Sequence, residues 1–386
     1  MSFFLPRFRR WALLGCVLMG LSACVESFEP GLTLTADVLI VDGTITDLPE
    51  RQTVRLSRSR VANGQSYTAP VTGATVEILV NGNNPVGLRE NAGTKGLYEA
   101  PVDFRGQVGN RYQLRFTTAE GQRYQSSEEM LAGVPAITKV YDQFDAQGIV
   151  NAEKTAFTPA NLIYIDTQDP GSSRNYYRWT WTLWEQQGWC ATCTQGLYIA
   201  TTALGDGYCQ TSRSLPPGNL YDYACAGACW EIIRGIELSL FSDAFSNGRP
   251  ITGKLVAKIP YYQAGGALIE VRQQALGLEA YRYYQLFQNQ TQNTGGLADT
   301  PPAPLVGNVR NLANDRENVA GYFAAAGVSR ARYWMSRQNN SGRPLGLYEG
   351  LFQRPPNPEP SAPFRPPSAR CALSDTRTPI RPDGWQ

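Results

Sequence analysis

Val71-Thr72-Gly73-Ala74-Thr75-Val76-Glu77-Ile78-Leu79-Val80, followed by Asn81-Gly82, decides the fold class. The run is rich in β-branched residues and reads as a strand. Asn-Gly then supplies two residues that accept positive φ, which is what a tight hairpin turn demands. The pattern spreads outward on both sides. Upstream, Val38-Leu39-Ile40-Val41 leads into Gly43-Thr44-Ile45-Thr46-Asp47, and Thr53-Val54-Arg55-Leu56-Ser57 alternates with period two. Downstream come Gly96-Leu97-Tyr98, Gly109-Asn110-Arg111-Tyr112-Gln113-Leu114-Arg115-Phe116 and Gly121-Gln122-Arg123-Tyr124. Short strands split by Gly and Asn turns predict a small β-sandwich over residues 37–132. Tyr98, Tyr112 and Tyr124 are expected as core or corner tyrosines.

The Gly-x-Tyr and Gly-x-x-Tyr-x-Leu pieces of this stretch resemble transthyretin-like and carboxypeptidase-regulatory-like sandwiches. That resemblance implies an Ig-like or transthyretin-like module serving as a spacer or stabiliser.

Val134-Pro135 opens a second β-rich unit, residues 133–353. Ile137–Tyr141 and Ala160–Ile165 read as strands. The turn Asp166-Thr167-Gln168-Asp169-Pro170-Gly171 has too few acids for a calcium loop. Tyr176-Tyr177-Arg178-Trp179-Thr180-Trp181-Thr182-Leu183-Trp184 is an unusually aromatic strand. Its alternation places Tyr177, Trp179, Trp181 and Leu183 on the core face and Thr180, Thr182 and Trp184 opposite. Glu231–Leu240 and Gly253–Tyr262 are expected to pair as a hairpin, and 267–273 as a further strand. One helix is predicted near 277–291, buried through Leu278, Tyr281, Leu286 and Tyr284. Pro301-Pro302-Ala303-Pro304 is a stiff break, and Arg330–Trp334 a last strand. Residues 354–386 read as a Pro-rich, extended tail.

Eight cysteines punctuate the chain. Two, Cys16 and Cys24, lie in the N-terminal segment. The other six are Cys190, Cys193, Cys209, Cys225, Cys229 and Cys371. An even number in an exported chain predicts disulfides, with fifteen possible pairings. A zinc knuckle of Cys190, Cys193, Cys225 and Cys229 is the weaker alternative, because an oxidising compartment disfavours it. Residues 190–229 show little periodicity and read as a long stapled loop. Trp189, Tyr208, Tyr221, Tyr223 and Trp230 in or beside it form the expected binding face, as aromatic side chains do at protein contacts. Cys371 makes sense if it ties the tail back to that loop.

The N-terminus supplies the address. Arg7, Arg9 and Arg10 precede an apolar run, Trp11–Met19, and then Leu21-Ser22-Ala23-Cys24. This is a secretory signal, residues 1–23, ending in a lipobox that leaves Cys24 to carry lipid. The run is well short of the ~20 residues that span a bilayer. Arg9-Arg10 hints at twin-arginine export, but the neighbouring residues fit general secretion better. Residues 24–36 are a tether with two acids, Glu26 and Glu29. Acids close to a lipidated cysteine resemble surface-export signals of Bacteroidota lipoproteins. The reading is therefore outer membrane, lipid-anchored, on the cell surface rather than the periplasmic face.

Composition excludes several functions. The formal net charge is +2, and the three signal arginines leave the mature chain at −1. No basic patch or run is present, so nucleic acid is not an expected partner. Histidine is absent, which removes Ser-His-Asp triads, Cys-His dyads, HExxH zinc chemistry and imidazole metal sites. No cofactor and no metal are implied.

Taken in order, the lipobox, Val41–Asp47, Leu56-Ser57-Arg58-Ser59, Val71–Val76, Asn175–Trp179 and the Gln273–Tyr284 strand-to-helix step resemble one family. So do Pro302, Gly307-Asn308-Val309, Gly321-Tyr322-Phe323 and the Cys371–Trp385 segment. The family is the domain-of-unknown-function 4249 lipoproteins of Bacteroidota. The resemblance implies an outer-membrane lipoprotein operating alongside TonB-dependent receptors, and no catalytic residues. The expectation is a non-catalytic protein that binds a ligand or a barrel partner. Two alternatives are a structural or adhesive envelope protein and a hydrolase using two carboxylates drawn from Asp166, Asp169, Glu185, Asp206 and Asp222.

Overall fold

The computed structural model describes residues 37–62, 65–151, 154–202, 205–291, 305–360 and 367–386. The signal segment, Cys16, Cys24, the 24–36 tether and Pro301–Pro304 lie outside the described residues.

Alternation builds the first sandwich. In β1 (Leu39–Thr46) Leu39, Val41 and Ile45 point inward and are fully buried. Val54 and Leu56 do the same in β2 (Thr53–Ala62), Val76 and Ile78 in β4 (Thr75–Val80), and Tyr112, Leu114 and Phe116 in β7 (Arg111–Thr117). These strands share one core with β5 (Asn84–Glu90), β6 (Leu97–Glu99) and β8 (Arg123–Ser126). Two short strands, β3 (Gln65–Pro70) and β9 (Glu129–Met130), pair at the side with β2 and β7. Asn81 and Gly82 take φ of 50° and 78°, so the hairpin from β4 to β5 has the two positive-φ residues its sequence offers. Tyr98, Tyr112 and Tyr124 are buried, and each hydroxyl bridges a gap. Tyr98 donates to the Val71 carbonyl (2.8 Å), Tyr112 accepts from the Gln107 N–H (2.7 Å), and Tyr124 donates to Glu317 (3.0 Å).

Two strands of this sheet come from far downstream. β21 (Val309–Asn311) pairs with β8, and β22 (Val319–Ala326) pairs parallel with β1 from Leu39↔Val319 to Thr46↔Ala326. The eleven-stranded sheet thus runs β21-β8-β7-β4-β5-β6-β2-β1-β22. Gly321 lies at φ +86° with its Cα against the Val41 carbonyl, where a Cβ would collide with backbone. Beside β22 the buried Glu129 carboxylate accepts hydrogen bonds from Ser127, Asn308 and Tyr322. Burial pushes its pKa up.

The second sandwich packs two sheets over Ile163, Ile165, Trp179, Leu183, Ile259, Ile269 and Val271. One sheet is β10 (Ile137–Val150), β11 (Phe157–Gln168) and β19 (Pro250–Pro260). The other runs β23 (Val328–Met335), β20 (Ala267–Leu276), β12 (Tyr176–Gln186), β17 (Trp230–Arg234), β24 (Arg377–Thr378), with β18 (Ser239–Ser242) also on β12. The aromatic strand β12 buries Tyr177, Trp179 and Leu183 and half-buries Trp181. The Trp179 indole N–H reaches Gln273 Oε1 at 3.0 Å, so a large ring is buried without an orphaned donor.

Two expectations are corrected. Residues 231–240 and 253–262 do not form a hairpin: β17 and β18 both lie on β12, whereas β19 crosses to β11. Period two marks a strand but not its partner. The helix α1 (Leu278–Thr291) forms as expected, but its packed stripe is Ala280, Tyr281, Tyr283 and Tyr284 against Tyr322, Ala324 and Ala326 of β22. Leu278 and Leu286 are exposed, because the alanines of β22 leave a groove that tyrosine rings fill. The tail is tied back, as Cys371 led one to expect, and Trp385 sits edge-on to Trp230 and Trp334 at 5.8 and 5.0 Å. A second, short helix, α2 (Leu347–Phe352), precedes it.

One ion pair is wholly inside. Arg337 grips Glu185 through two contacts, 2.5 and 3.1 Å, with both side chains at 0% exposure. The Gln263 amide also donates to Glu185, and Arg337 donates to the carbonyls of Gln263 and Gly265, while its Nε is left without a partner. Removing one partner strands a buried charge, so Arg337→Met is expected to cost about 3–5 kcal/mol in denaturant unfolding. Glu185→Leu/Arg337→Met together should restore most of that loss.

Candidate functional site

The cysteine-rich stretch is not a structureless loop. β13 (Trp189–Thr194) pairs with β16 (Leu220–Ala224), and β14 (Gly196–Ala200) with β15 (Gly207–Thr211). Sequence periodicity misses these strands because disulfides replace most of the apolar core that alternation would advertise. The bonds are Cys190–Cys225, Cys193–Cys209 and Cys229–Cys371, so all six cysteines pair and Cys371 ties the tail to the module. This distributes the four knuckle cysteines over three bonds and sets aside that alternative.

Of the expected binding face, Tyr221, Tyr223 and Trp230 are buried and serve as core. Tyr223 packs on Tyr198 and donates to Glu359 of the tail at 2.7 Å. Trp189 is half-buried, edge-on to Tyr348. Tyr208 is 56% exposed. Those five residues therefore do not share one surface.

Asp222 is the hub of the module. Its carboxylate, 1% exposed, accepts from Thr192 of β13, Tyr348 of α2, both terminal nitrogens of Arg354, and the Asn357 N–H of the tail. Burial alone pushes this group up. The hydrogen bonds from Arg354, Asn357, Tyr348 and Thr192 more than reverse that and hold it at about 2.

A groove opens on the outer face of the second sandwich, with a volume of about 450 Å³. Register explains its lining. Arg234 of β17, Thr182 of β12, Glu270 of β20 and Arg332 of β23 stand in one row across four strands. The next row brings Ile232 and Trp184, and the row on the other side Thr180 and Arg272. Arg332 lies over the Trp184 ring, 5.7 Å from its centroid. Glu270 is 2% exposed and takes Arg272 and Arg332 at 2.7 and 2.8 Å. Burial pushes its pKa up, and hydrogen bonds from the two arginines leave it lowered, so it stays ionised. Glu50 of the first sandwich reaches over to Arg272 (2.6 and 3.0 Å), and Asp383 of the tail to Arg332 (3.0 Å). Tryptophan faces, two threonine hydroxyls and fixed guanidinium groups suit a polar ligand with a flat apolar side. A larger recess on the first sandwich, about 720 Å³, has no aromatic lining.

The five acids considered for hydrolysis are each tied elsewhere. Asp166 accepts the Gly253 N–H, Asp169 takes Tyr177 and the Gly248 N–H, Glu185 holds Arg337, Asp206 faces Arg370, and Asp222 anchors the tail. Glu270, Arg272, Tyr348 and Arg354 went unrecognised in sequence. The signal for the first two was the strand 267–273, whose outward positions carry opposite charges.

The family model for Domain of unknown function (DUF4249) matches residues 25–332. The chain belongs to this family. The DUF4249 match takes in both sandwiches up to Arg332 and stops short of Cys371 and the docked tail. No curated protein and no solved structure matches the chain.

The Asp222 hub makes the tail acid-sensitive. A carboxylate held at about 2 in the fold against 3.8 unfolded stabilises fully above pH 3.8 and loses that contribution as pH falls toward 2. The expected loss is about 2 kcal/mol. Arg354→Ala, which leaves the donors from Asn357, Tyr348 and Thr192 in place, should shrink this acid limb of the stability profile, measured by denaturant unfolding between pH 5 and 2.

Proposed function

We propose that this is a non-catalytic outer-membrane lipoprotein, anchored through Cys24 on the cell surface, that binds a ligand or a barrel partner beside a TonB-dependent transporter. The observation that carries the binding role is the outer-face groove, where Trp184, Thr180, Thr182 and an arginine-carboxylate lattice converge on an accessible surface. Rigid β-strands hold every lining side chain in register, which lowers the ordering cost of recognition. The lipobox supplies the anchor. Among the described residues no helix is long and apolar enough to cross a membrane. The absence of histidine and the structural commitments of the acids support the non-catalytic reading.

The test combines anchoring, exposure and partner recovery. Cys24→Ala should lose palmitate labelling and membrane fractionation. A membrane-impermeant reagent should label the wild-type protein on intact cells, and crosslinking should recover a β-barrel receptor. Trp184→Ala should weaken that recovery roughly tenfold, the effect of ~1.4 kcal/mol at a contact anchor. Absence of a barrel, or recovery indifferent to Trp184→Ala and Arg332→Ala, would contradict the reading.

A further inference from the structure

Two of the three disulfides touch. The Sγ atoms of Cys190, Cys229 and Cys371 lie within 4.8 Å of one another, and all three residues are buried. Cys190 belongs to one bond and Cys229 and Cys371 to the other. Cys225, half-buried, is held to Cys190 with Cα atoms 4.8 Å apart. Cys190 carries Cys225 on its bond, so reduction of the two disulfides frees four sulfurs of β13, the 225–229 turn and the tail in one neighbourhood. Cys193 and Cys209 form a separate bond.

A tetrahedral tetrathiolate site needs its sulfurs about 3.8 Å apart, given metal–sulfur distances near 2.3 Å. Once both bonds are broken, the sulfurs of each former pair must separate to that spacing, and Cys190 must close on Cys229 and Cys371 by at most about an ångström. We propose that the reduced protein binds one soft divalent cation, of the Zn²⁺ or Cd²⁺ class, through Cys190, Cys225, Cys229 and Cys371. The set differs from the one that local spacing offers: Cys371 of the tail replaces Cys193. Arg377 stands beside the cluster, its guanidinium donating to the Cys190 carbonyl (3.2 Å) and to Glu231 (2.7 Å), where it offsets part of the added negative charge. The chemistry balances. Each of two dithiol reductant molecules reduces one disulfide to two thiols and closes to its own disulfide. The cation then displaces one proton from each ligating sulfur. Two molecules of a small-molecule disulfide, each reduced to two thiols, return the two protein disulfides and release the ion, so both states hold the tail to the module.

The test uses the purified protein, reduced anaerobically with a phosphine and titrated with CdCl₂. One equivalent should produce the ultraviolet thiolate-to-cadmium charge-transfer band, and the oxidised protein should give none. Alkylation of the reduced, cadmium-loaded wild type, read by mass spectrometry, needs no variant to fold. It should show Cys190, Cys225, Cys229 and Cys371 protected and Cys193 and Cys209 modified. Cys193→Ser should retain the band, and Cys371→Ser should lose it. Lack of a stoichiometric band, or protection of Cys193 with Cys371 modified, would overturn the proposal.

Discussion

The parallel pairing of β1 with β22 is the constraint on which the rest depends. It joins residues 39–46 to residues 319–326 and closes the first sandwich with chain that arrives only after most of the second has been laid down, β23 and β24 following it. Parallel strands cannot be joined by a tight turn, so the intervening chain must make an excursion. In this fold that excursion carries β10 to β20, with most of the stapled module, while β23, β24 and Cys371 are added after β22. Its return path explains the placement of α1, which docks on the outside of β22 through Ala280 and three tyrosines. The same pairing fixes Gly321, because the chain passes too close to Val41 for any side chain. Glu50 and Arg272 bridge the two sandwiches next to the groove, so the groove's electrostatics rest on that closure too.

The tail works by a different principle. The described residues 355–360 and 367–386 have little regular structure, so apolar burial alone does not hold them. A disulfide, a buried carboxylate and two tryptophan contacts do so instead. Asp222 is efficient in this role because one ionised group satisfies donors from β13, α2 and the tail at once. The small β-ladders around it lack the core volume to be stable alone, which is where covalent staples contribute most.

Much of the fold was legible from side-chain alternation. β1, β4, β7 and β12 each announce a buried face, and Asn81-Gly82 announces its turn. The helix was visible as an element, but its docking stripe depended on the alanines of β22, which lie outside it in sequence. Pairing was not legible, since period two gives a strand its faces and no partner. That is why β17 and β19 were joined in expectation and separated in fact. The candidate site shows the same limit. Trp184 could be assigned to the outward face of its strand, whereas the groove needed Arg234, Glu270 and Arg332 brought alongside by three further strands. Six cysteines signalled staples, and Cys371 was expected to tie the tail to the 190–229 stretch, but their order along the chain did not reveal that Cys229 is its partner.

The central claim is tested most directly by the stability of residues 37–132 by themselves, compared with the same residues joined by a Gly/Ser linker to 305–327. Ala132 lies beside Gly327 and Gly307 beside Val319, so the linker is made long enough to run back along β22. If the β1–β22 closure holds the first sandwich together, 37–132 alone shows no cooperative denaturant transition and self-associates through the open edges of β1 and β8. The linked polypeptide should regain a sharp transition. A cooperative transition of 37–132 alone, at the same midpoint as the linked form, would contradict the central role of that closure.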